Sequence, residues 1–165
     1  MNKLIKLFAI AVMFMSTAAT ITSCNEDPCK DVVCLNSGTC DNGNCLCIAG
    51  YEGADCATLI ATKFIGVFNG NETCSTGSDI YTLTVSTNSD VTKVNIANIY
   101  DFNYSGVASI TGSTITLPTT TAASGAVYSG SGSVNGNTLT FTYTIANPTA
   151  TPPTAANTCT FIGTK

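Results

Sequence analysis

The sequence predicts a mainly β protein in two parts: a small disulfide-rich module, followed by an antiparallel β-barrel or β-sandwich. Two observations lead to this fold class. Between Cys29 and Cys56, six cysteines follow one another with the spacing C-x4-C-x5-C-x4-C-x-C-x8-C. Beyond Cys56 the composition shifts to Thr, Ser, Asn, Gly, Val and Ile, and no segment has the apolar periodicity of a helix.

The N-terminal residues 1–23 have the pattern of a signal peptide. Lys3 and Lys6 precede an uninterrupted apolar run over residues 7–15, and small or hydroxylated residues follow that run. A transmembrane helix needs about 20 apolar residues, so this shorter run predicts a cleaved leader and not a permanent membrane span.

The four residues from Ile21 to Cys24, I-T-S-C, resemble the lipobox of bacterial lipoproteins. This resemblance implies that Cys24 is lipidated, becomes the first mature residue and anchors the protein in a membrane. The chain has nine cysteines, and removing Cys24 leaves eight that can all pair. Residues 25–27, Asn-Glu-Asp, resemble the sorting signal of outer-membrane lipoproteins, which implies a place in the bacterial cell envelope, on its external face. The alternative is cleavage at an ordinary signal-peptidase site, with Cys24 left as a free thiol.

Residues 24–28 are predicted to be a tether, and residues 29–57 a module that resembles the epidermal-growth-factor-like (EGF-like) family. The C-x-C pair and the C-x2-G-Y-x-G-x2-C ending, from Cys47 to Cys56, carry this likeness. So short a segment cannot bury enough apolar surface to be stable without cross-links. The resemblance implies three disulfides, whereas spacing alone leaves other pairings open. The implied pairs are Cys29–Cys40, Cys34–Cys45 and Cys47–Cys56.

Some EGF-like modules bind calcium just before the first cysteine. Asn25 and Asp27 stand where two oxygen ligands would be, but Pro28 occupies the position of an expected acidic or amide side chain. Calcium requires six to eight oxygen ligands, roughly, in a shaped cage. We therefore expect Asn25 and Asp27 to be linker residues, and we expect no metal or other cofactor.

Residues 59–165 are predicted to form an antiparallel β domain, with a lipocalin-like meander favoured. The clearest strand is 137–146, where Leu139, Phe141, Tyr143 and Ile145 alternate with threonines. Asn135-Gly136 before it predicts a hairpin. Longer loops are predicted at 118–125 and 147–157. The other predicted strands are 62–68, 80–86, 92–99, 107–111, 113–117, 126–134 and 158–164.

The remaining cysteines, Cys74 and Cys159, lie near the two ends of the β domain. In an oxidising compartment we expect them to form a disulfide. Such a bond makes the first and last strands neighbours, as the closure of a barrel requires.

The composition excludes several classes of function. The chain has no histidine, and its six basic residues are all lysines, of which the predicted leader contains two. With no basic patch, nucleic acid is not a predicted partner. Acids in the β domain occur singly, in segments that look like turns, and no motif for nucleophilic, phosphate or zinc chemistry is present. We expect no enzyme, although a glycosidase-like pair of carboxylates brought together by folding stays open.

One cluster suggests a binding site. Residues 100–104 place three aromatic and two polar side chains side by side at a predicted strand end. They could form a rim that binds a protein or glycan, or simply a loop that closes one mouth of the barrel. The favoured function is a non-catalytic envelope lipoprotein whose module is a spacer that presents the β domain for adhesion or binding. The alternative is a lipocalin-like carrier with a ligand inside the barrel, and a minor alternative is a calcium-binding EGF-like module. The rim residues are Tyr100, Asp101, Phe102, Asn103 and Tyr104.

Overall fold

The computed structural model describes residues 26–150 and 154–165. The predicted leader 1–23, the predicted lipidation site Cys24 and the calcium candidate Asn25 lie outside these residues. Within the described part of the chain, no helix is long and apolar enough to cross a bilayer.

The cysteine module, residues 29–57, consists of short hairpins held by disulfides. Strand β1 (Thr39–Asp41) pairs with β2 (Asn44–Leu46), and β3 (Tyr51–Glu52) pairs with β4 (Thr58–Leu59) just beyond the module. In the β1–β2 turn, Asn42 and Gly43 have positive φ, as residues in tight hairpins often do. Three disulfides connect the cysteines in the pairs that the family resemblance implied: Cys29–Cys40, Cys34–Cys45 and Cys47–Cys56.

The β domain is a closed barrel of eight antiparallel strands. Each strand pairs with the next one along the chain, and the last pairs with the first. The predicted barrel with meander topology is therefore confirmed, and the sandwich is not formed. The strands are β5 (Gly66–Cys74), β6 (Gly77–Thr87), β7 (Lys93–Ile99), β8 (Tyr104–Thr111), β9 (Thr114–Thr121), β10 (Val127–Asn135), β11 (Thr138–Ala146) and β12 (Asn157–Thr164).

The first barrel strand differs from the prediction of residues 62–68. Residues Ile60–Lys63 form a 3-10 helix, and the fully buried Phe64 packs into the hydrophobic core. Strand β5 then continues to Cys74, through a stretch whose sequence resembles a turn. Gly70 permits this path, because a Cβ at that position would lie 2.3 Å from the carbonyl oxygen of Ile162 on β12.

The predicted loop at residues 118–125 also starts too early. Strand β9 continues to Thr121, and its register against β10 shifts between the partners of Tyr128 and Gly130. Pro118 lies at this irregularity, where its missing N–H group is tolerated.

Alternate side chains of the barrel strands point inward and fill the interior. Leu139, Phe141, Tyr143 and Ile145 are all buried, as the alternation predicted. A disulfide joins Cys74 on β5 to Cys159 on β12, with their Cα atoms 4.0 Å apart, and so links the first and last barrel strands as expected.

The strand directions give the barrel two distinct ends. The module end carries the 3-10 helix, the loop 88–92 and Lys165, because β5 begins there and β12 ends there. The open end carries the connections 75–76, 100–103, 122–126 and 147–156, of which residues 151–153 are not described. The predicted binding rim is thus at the end of the barrel opposite to the cysteine module.

Candidate functional site

The aromatic rim, residues 100–104, lies at the open end, and its rings form a stacked series. The centroid of the Tyr100 ring is 5.5 Å from that of Phe102, which is 5.9 Å from that of Tyr104. Tyr104 in turn stacks on Tyr128 of β10 at 5.4 Å. The Phe102 side chain is 64% exposed, which leaves an aromatic surface facing solvent. Aromatic rings in such a position suit apolar ligands and cations.

The backbone of the rim adopts an uncommon conformation. Tyr100, Asp101 and Asn103 have φ values between 49° and 61°, in the left-handed region that bulky residues rarely occupy. Asn98 stabilises this path: its amide nitrogen donates to the Thr82 carbonyl at 2.9 Å, and its side-chain oxygen accepts from the Asn103 backbone N–H at 3.2 Å. Strained backbone of this kind persists where the surrounding contacts hold it, often at functional sites.

A buried carboxylate lies beneath the rim. Glu72 of β5 is only 3% exposed, and its Oε1 accepts hydrogen bonds from the hydroxyl groups of Tyr81, at 2.7 Å, and Tyr143. The Tyr81 hydroxyl also accepts a hydrogen bond from the Tyr100 backbone N–H at 3.3 Å. One chain of hydrogen bonds therefore connects the rim backbone to Glu72.

Both phenols that contact Glu72 titrate above their ordinary range. Burial raises the pKa of Tyr143, and the hydrogen bond to Glu72 raises it further. The pKa of Tyr81 is raised by the same two causes in the same order. Both groups are therefore protonated at neutral pH and act as donors to the carboxylate.

A second acid lies directly across the strand pair from Glu72. Asp79 of β6 is its register partner, so the two side chains point to the same face of the sheet. Together with the rings of Tyr100 and Phe102 they line a cleft of about 210 Å³, the acidic cleft.

An apolar cleft of about 280 Å³ adjoins the acidic cleft. The two share Thr76, Tyr100 and Phe102 as lining residues. The buried amide of Asn157 provides polar groups in the apolar cleft and donates to Thr76 Oγ1 at 2.7 Å. The remaining lining residues are Tyr104, Ala126, Ile145, Ala146, Asn147, Thr154 and Ala155.

The barrel interior bears on the carrier alternative, which needs space for a ligand there. Six inward side chains from three strands, β7, β11 and β12, belong to one buried cluster, and each is at most 1% exposed. At their level the interior is filled with side chains, and the apolar cleft lies at the open end. The six residues are Val94, Ile96, Leu139, Phe141, Tyr143 and Phe161.

The structure also locates other residues that the sequence singled out. Asp27 Oδ1 accepts a hydrogen bond from the Cys29 backbone N–H at 2.9 Å, so this calcium candidate caps a turn. Among the described residues, Glu72, Cys74 and Cys159 come close enough to resemble a metal site. Both cysteines are oxidised in the same disulfide, however, and so offer no thiolate ligand.

The sequence does not identify Glu72 and Asp79 as site residues, because both are single acids in segments that look like turns. One signal could have identified Glu72. Phe68 and Glu72 are both buried on β5, and period-two alternation counted on from Phe68 places Gly70 and Glu72 on the same inner face once the strand is extended past residue 68. The position of Asp79 opposite Glu72 follows only from the register of the hairpin, in which Cys74 pairs with Gly77.

Comparisons with known proteins identify the cysteine module. A family model described as EGF-like domain matches residues 24–56. Curated proteins yield no match to the chain. The family match covers about a fifth of the sequence and leaves the barrel unassigned.

Proposed function

We propose that the protein is a non-catalytic, lipid-anchored protein of the bacterial cell envelope that uses the open end of its barrel to bind a protein or glycan ligand. One observation carries this proposal. The EGF-like module, which follows the proposed lipid anchor Cys24, joins the barrel at one end, and the aromatic rim lies at the other. A lipid at Cys24 would hold the module end near the membrane and leave the rim facing away from it.

Contacts between the module and the barrel support a spacer role. The Ile60 backbone N–H donates to the Gly50 carbonyl at 2.9 Å, and Lys63 pairs with Glu52 at 2.6 Å. Gly50 is buried against Val91 of the loop 88–92, with no room for a side chain: a Cβ would lie 2.8 Å from Val91 Cγ2. A module fixed in this way sets the orientation of the barrel as well as its height.

Hydrogen bonds within the loop 88–92, which contacts the module, fix the conformation of that loop. Asp90 Oδ1 accepts hydrogen bonds from the hydroxyl and the backbone N–H of Thr92, at 2.6 and 2.9 Å. Those bonds, together with Lys93, keep the pKa of Asp90 well below its usual range. The carboxylate is therefore charged throughout the neutral range and keeps Val91 in position beside Gly50.

Binding is a better account of the acidic pair than catalysis. Two carboxylates can hydrolyse a glycoside when one acts as acid and the other as base or nucleophile. Glu72 lines the acidic cleft but is largely buried, and two phenols hold one of its oxygens. A group so enclosed is placed to recognise a ligand rather than to attack one.

The anchor is tested by metabolic labelling with palmitate. The wild type should take up label and Cys24→Ala should not, and processing should be blocked by globomycin. An unlabelled wild-type protein would refute lipidation without bearing on the rim.

The binding end is tested by photo-crosslinking on intact cells. A benzoylphenylalanine at position 102 should form adducts, whereas one at position 67 should not. Val67 is a matched control, because it is 54% exposed against 64% for Phe102 but belongs to the strand that starts at the module end. Equal adducts from both positions, or none from either, would contradict the assignment of ligand binding to the open end.

A further inference from the structure

Two acidic side chains lie close together in the acidic cleft. Glu72 and Asp79 are direct cross-strand partners on one face, a position that brings Cβ atoms to about 5 Å and makes like charges unfavourable. Asp101 adds a third acid at the open end. Each of the four lysines in the described part of the chain lies in the module or at the module end, so no lysine there balances these charges. These lysines are Lys30, Lys63, Lys93 and Lys165.

Glu72 also has an oxygen without a hydrogen-bond donor. Its Oε1 accepts from two phenols, but among the described residues the hydrogen-bond-range contact of Oε2 is with Cys74 Sγ, at 3.4 Å. That sulfur carries no hydrogen, because it is bonded to Cys159. No other described N–H or O–H group donates to Oε2. A buried carboxylate oxygen left without a donor is costly, and the residue lines the acidic cleft.

The walls of the cleft favour an organic cation over an inorganic one. Tyr100 and Phe102 line it, and aromatic faces attract ammonium groups electrostatically. The same two rings line the apolar cleft, whose surface suits a hydrocarbon chain. A ligand that spans both clefts would have a positive head and an apolar body.

We propose that the acidic cleft binds the ammonium group of an aliphatic amine, with the hydrocarbon part of the ligand in the apolar cleft. The ammonium group donates a hydrogen bond to Glu72 Oε2, lies between the two carboxylates and contacts the aromatic rim. This inference deepens the proposed function, since it rests on the open end being the ligand-binding end. It specifies the recognised chemistry, which a small amine or the lysine side chain of a protein can both supply.

Calorimetric titration tests the proposal with three probes at pH 7. The protein is the full-length sequence with Cys24→Ser, so that no acyl chain competes for the apolar cleft. The probes are n-hexylamine, the neutral 1-hexanol of the same chain length, and Nα-acetyl-lysine amide. Because a hydrogen bond to a charged group contributes about 1.5 to 3 kcal/mol, we expect n-hexylamine to bind at least about tenfold more tightly than 1-hexanol. The ratio between the two amines distinguishes a free amine from a lysine side chain.

Two variants test whether the acidic pair causes the tighter binding of the amine. Glu72→Gln and Asp79→Asn should each weaken amine binding by about tenfold and leave 1-hexanol unchanged. Asp79 is exposed, so its variant stays informative if Glu72→Gln fails to fold. Asp41→Asn makes the same charge change in the β1–β2 hairpin of the module and should have no effect.

Equal binding of amine and alcohol would overturn the proposal, and so would amine binding that neither variant weakens. The crosslinking at position 102 tests ligand binding at the open end independently. Adducts at position 102 without amine binding would refute the amine site but would still support ligand binding at the open end.

Discussion

The disulfide between Cys74 and Cys159 should contribute a large share of the stability of the barrel. The two residues are separated by 85 positions, so in the unfolded chain the bond closes a long loop. The chain-entropy model assigns such a loop about 4.6 kcal/mol at 25 °C. We expect the double variant Cys74→Ala/Cys159→Ala to lose about this much free energy of unfolding. Alanine is the better replacement, because Cys159 is fully buried and a serine would bring an unpaired hydroxyl into the core.

Denaturation in guanidinium chloride, followed by circular dichroism, measures the loss. The midpoint should fall, and the slope of free energy against denaturant should rise, because the unlinked unfolded chain exposes more surface. In a thermal melt the same loss corresponds to a shift on the order of 20 °C for a domain of this size.

The control removes a disulfide that has no part in the barrel. Cys29→Ala/Cys40→Ala opens a short loop in the module, with a separation of 11 residues, and should leave the transition of the barrel unchanged. If the barrel variant unfolds at the wild-type midpoint, the cross-link does not act through the unfolded chain, and the reasoning fails.

Three further predictions concern the junction and the buried carboxylate. Gly50→Ala places a side chain against Val91 at a φ of +94°, which costs about 1 to 2 kcal/mol. Limited proteolysis should then cut the junction between module and barrel faster than in the wild type. Unchanged cleavage would contradict a fixed module. Tyr143→Phe removes one donor to Glu72 and should lower the free energy of unfolding by about 1 to 3 kcal/mol in a urea titration, whereas no loss would mean that this hydrogen bond is dispensable. Folding raises the pKa of Tyr81 and Tyr143 above the unfolded value of about 10. Their contribution to the free energy of unfolding is therefore complete below that pH and is lost as the pH rises beyond it. Unfolding measured from about pH 9 to 11.5 should show this loss, and Tyr81→Phe/Tyr143→Phe should reduce it.

The sequence was sufficient to predict a strand and its inner face wherever one face of that strand is uniformly apolar. Strand β11 alternates Leu139, Phe141 and Tyr143 with threonines, because its inner face meets only the hydrophobic core. Strand β5 gives no such signal, since two of its inner positions are Gly70 and Glu72. The glycine is required by the close approach of β12, and the acid is accepted because distant tyrosines donate to it. Neither reason can be recognised before the strands are paired.

The candidate site likewise contains residues that the sequence identified and residues that it did not. The sequence identified the aromatic rim because its residues are consecutive. It did not identify Tyr128 as the next ring of the stack, since that contact joins β8 to β10, two strands that β9 separates in the barrel. The pairing of Glu72 with Asp79 depends on the register of one hairpin, whose turn residues Ser75 and Thr76 carry none of the strong turn signals seen at Asn135-Gly136.

The closure of β12 against β5 brings the two ends of the barrel chain together. The Lys165 ammonium group donates to the carbonyl oxygens of Lys63 and Ile65, at 2.9 and 2.7 Å, so the polypeptide enters and leaves the barrel at the same end. A reporter or epitope fused after Lys165 would therefore emerge beside the module and leave the opposite end unobstructed. The connections at that opposite end are separated from both points of entry by the length of the barrel strands.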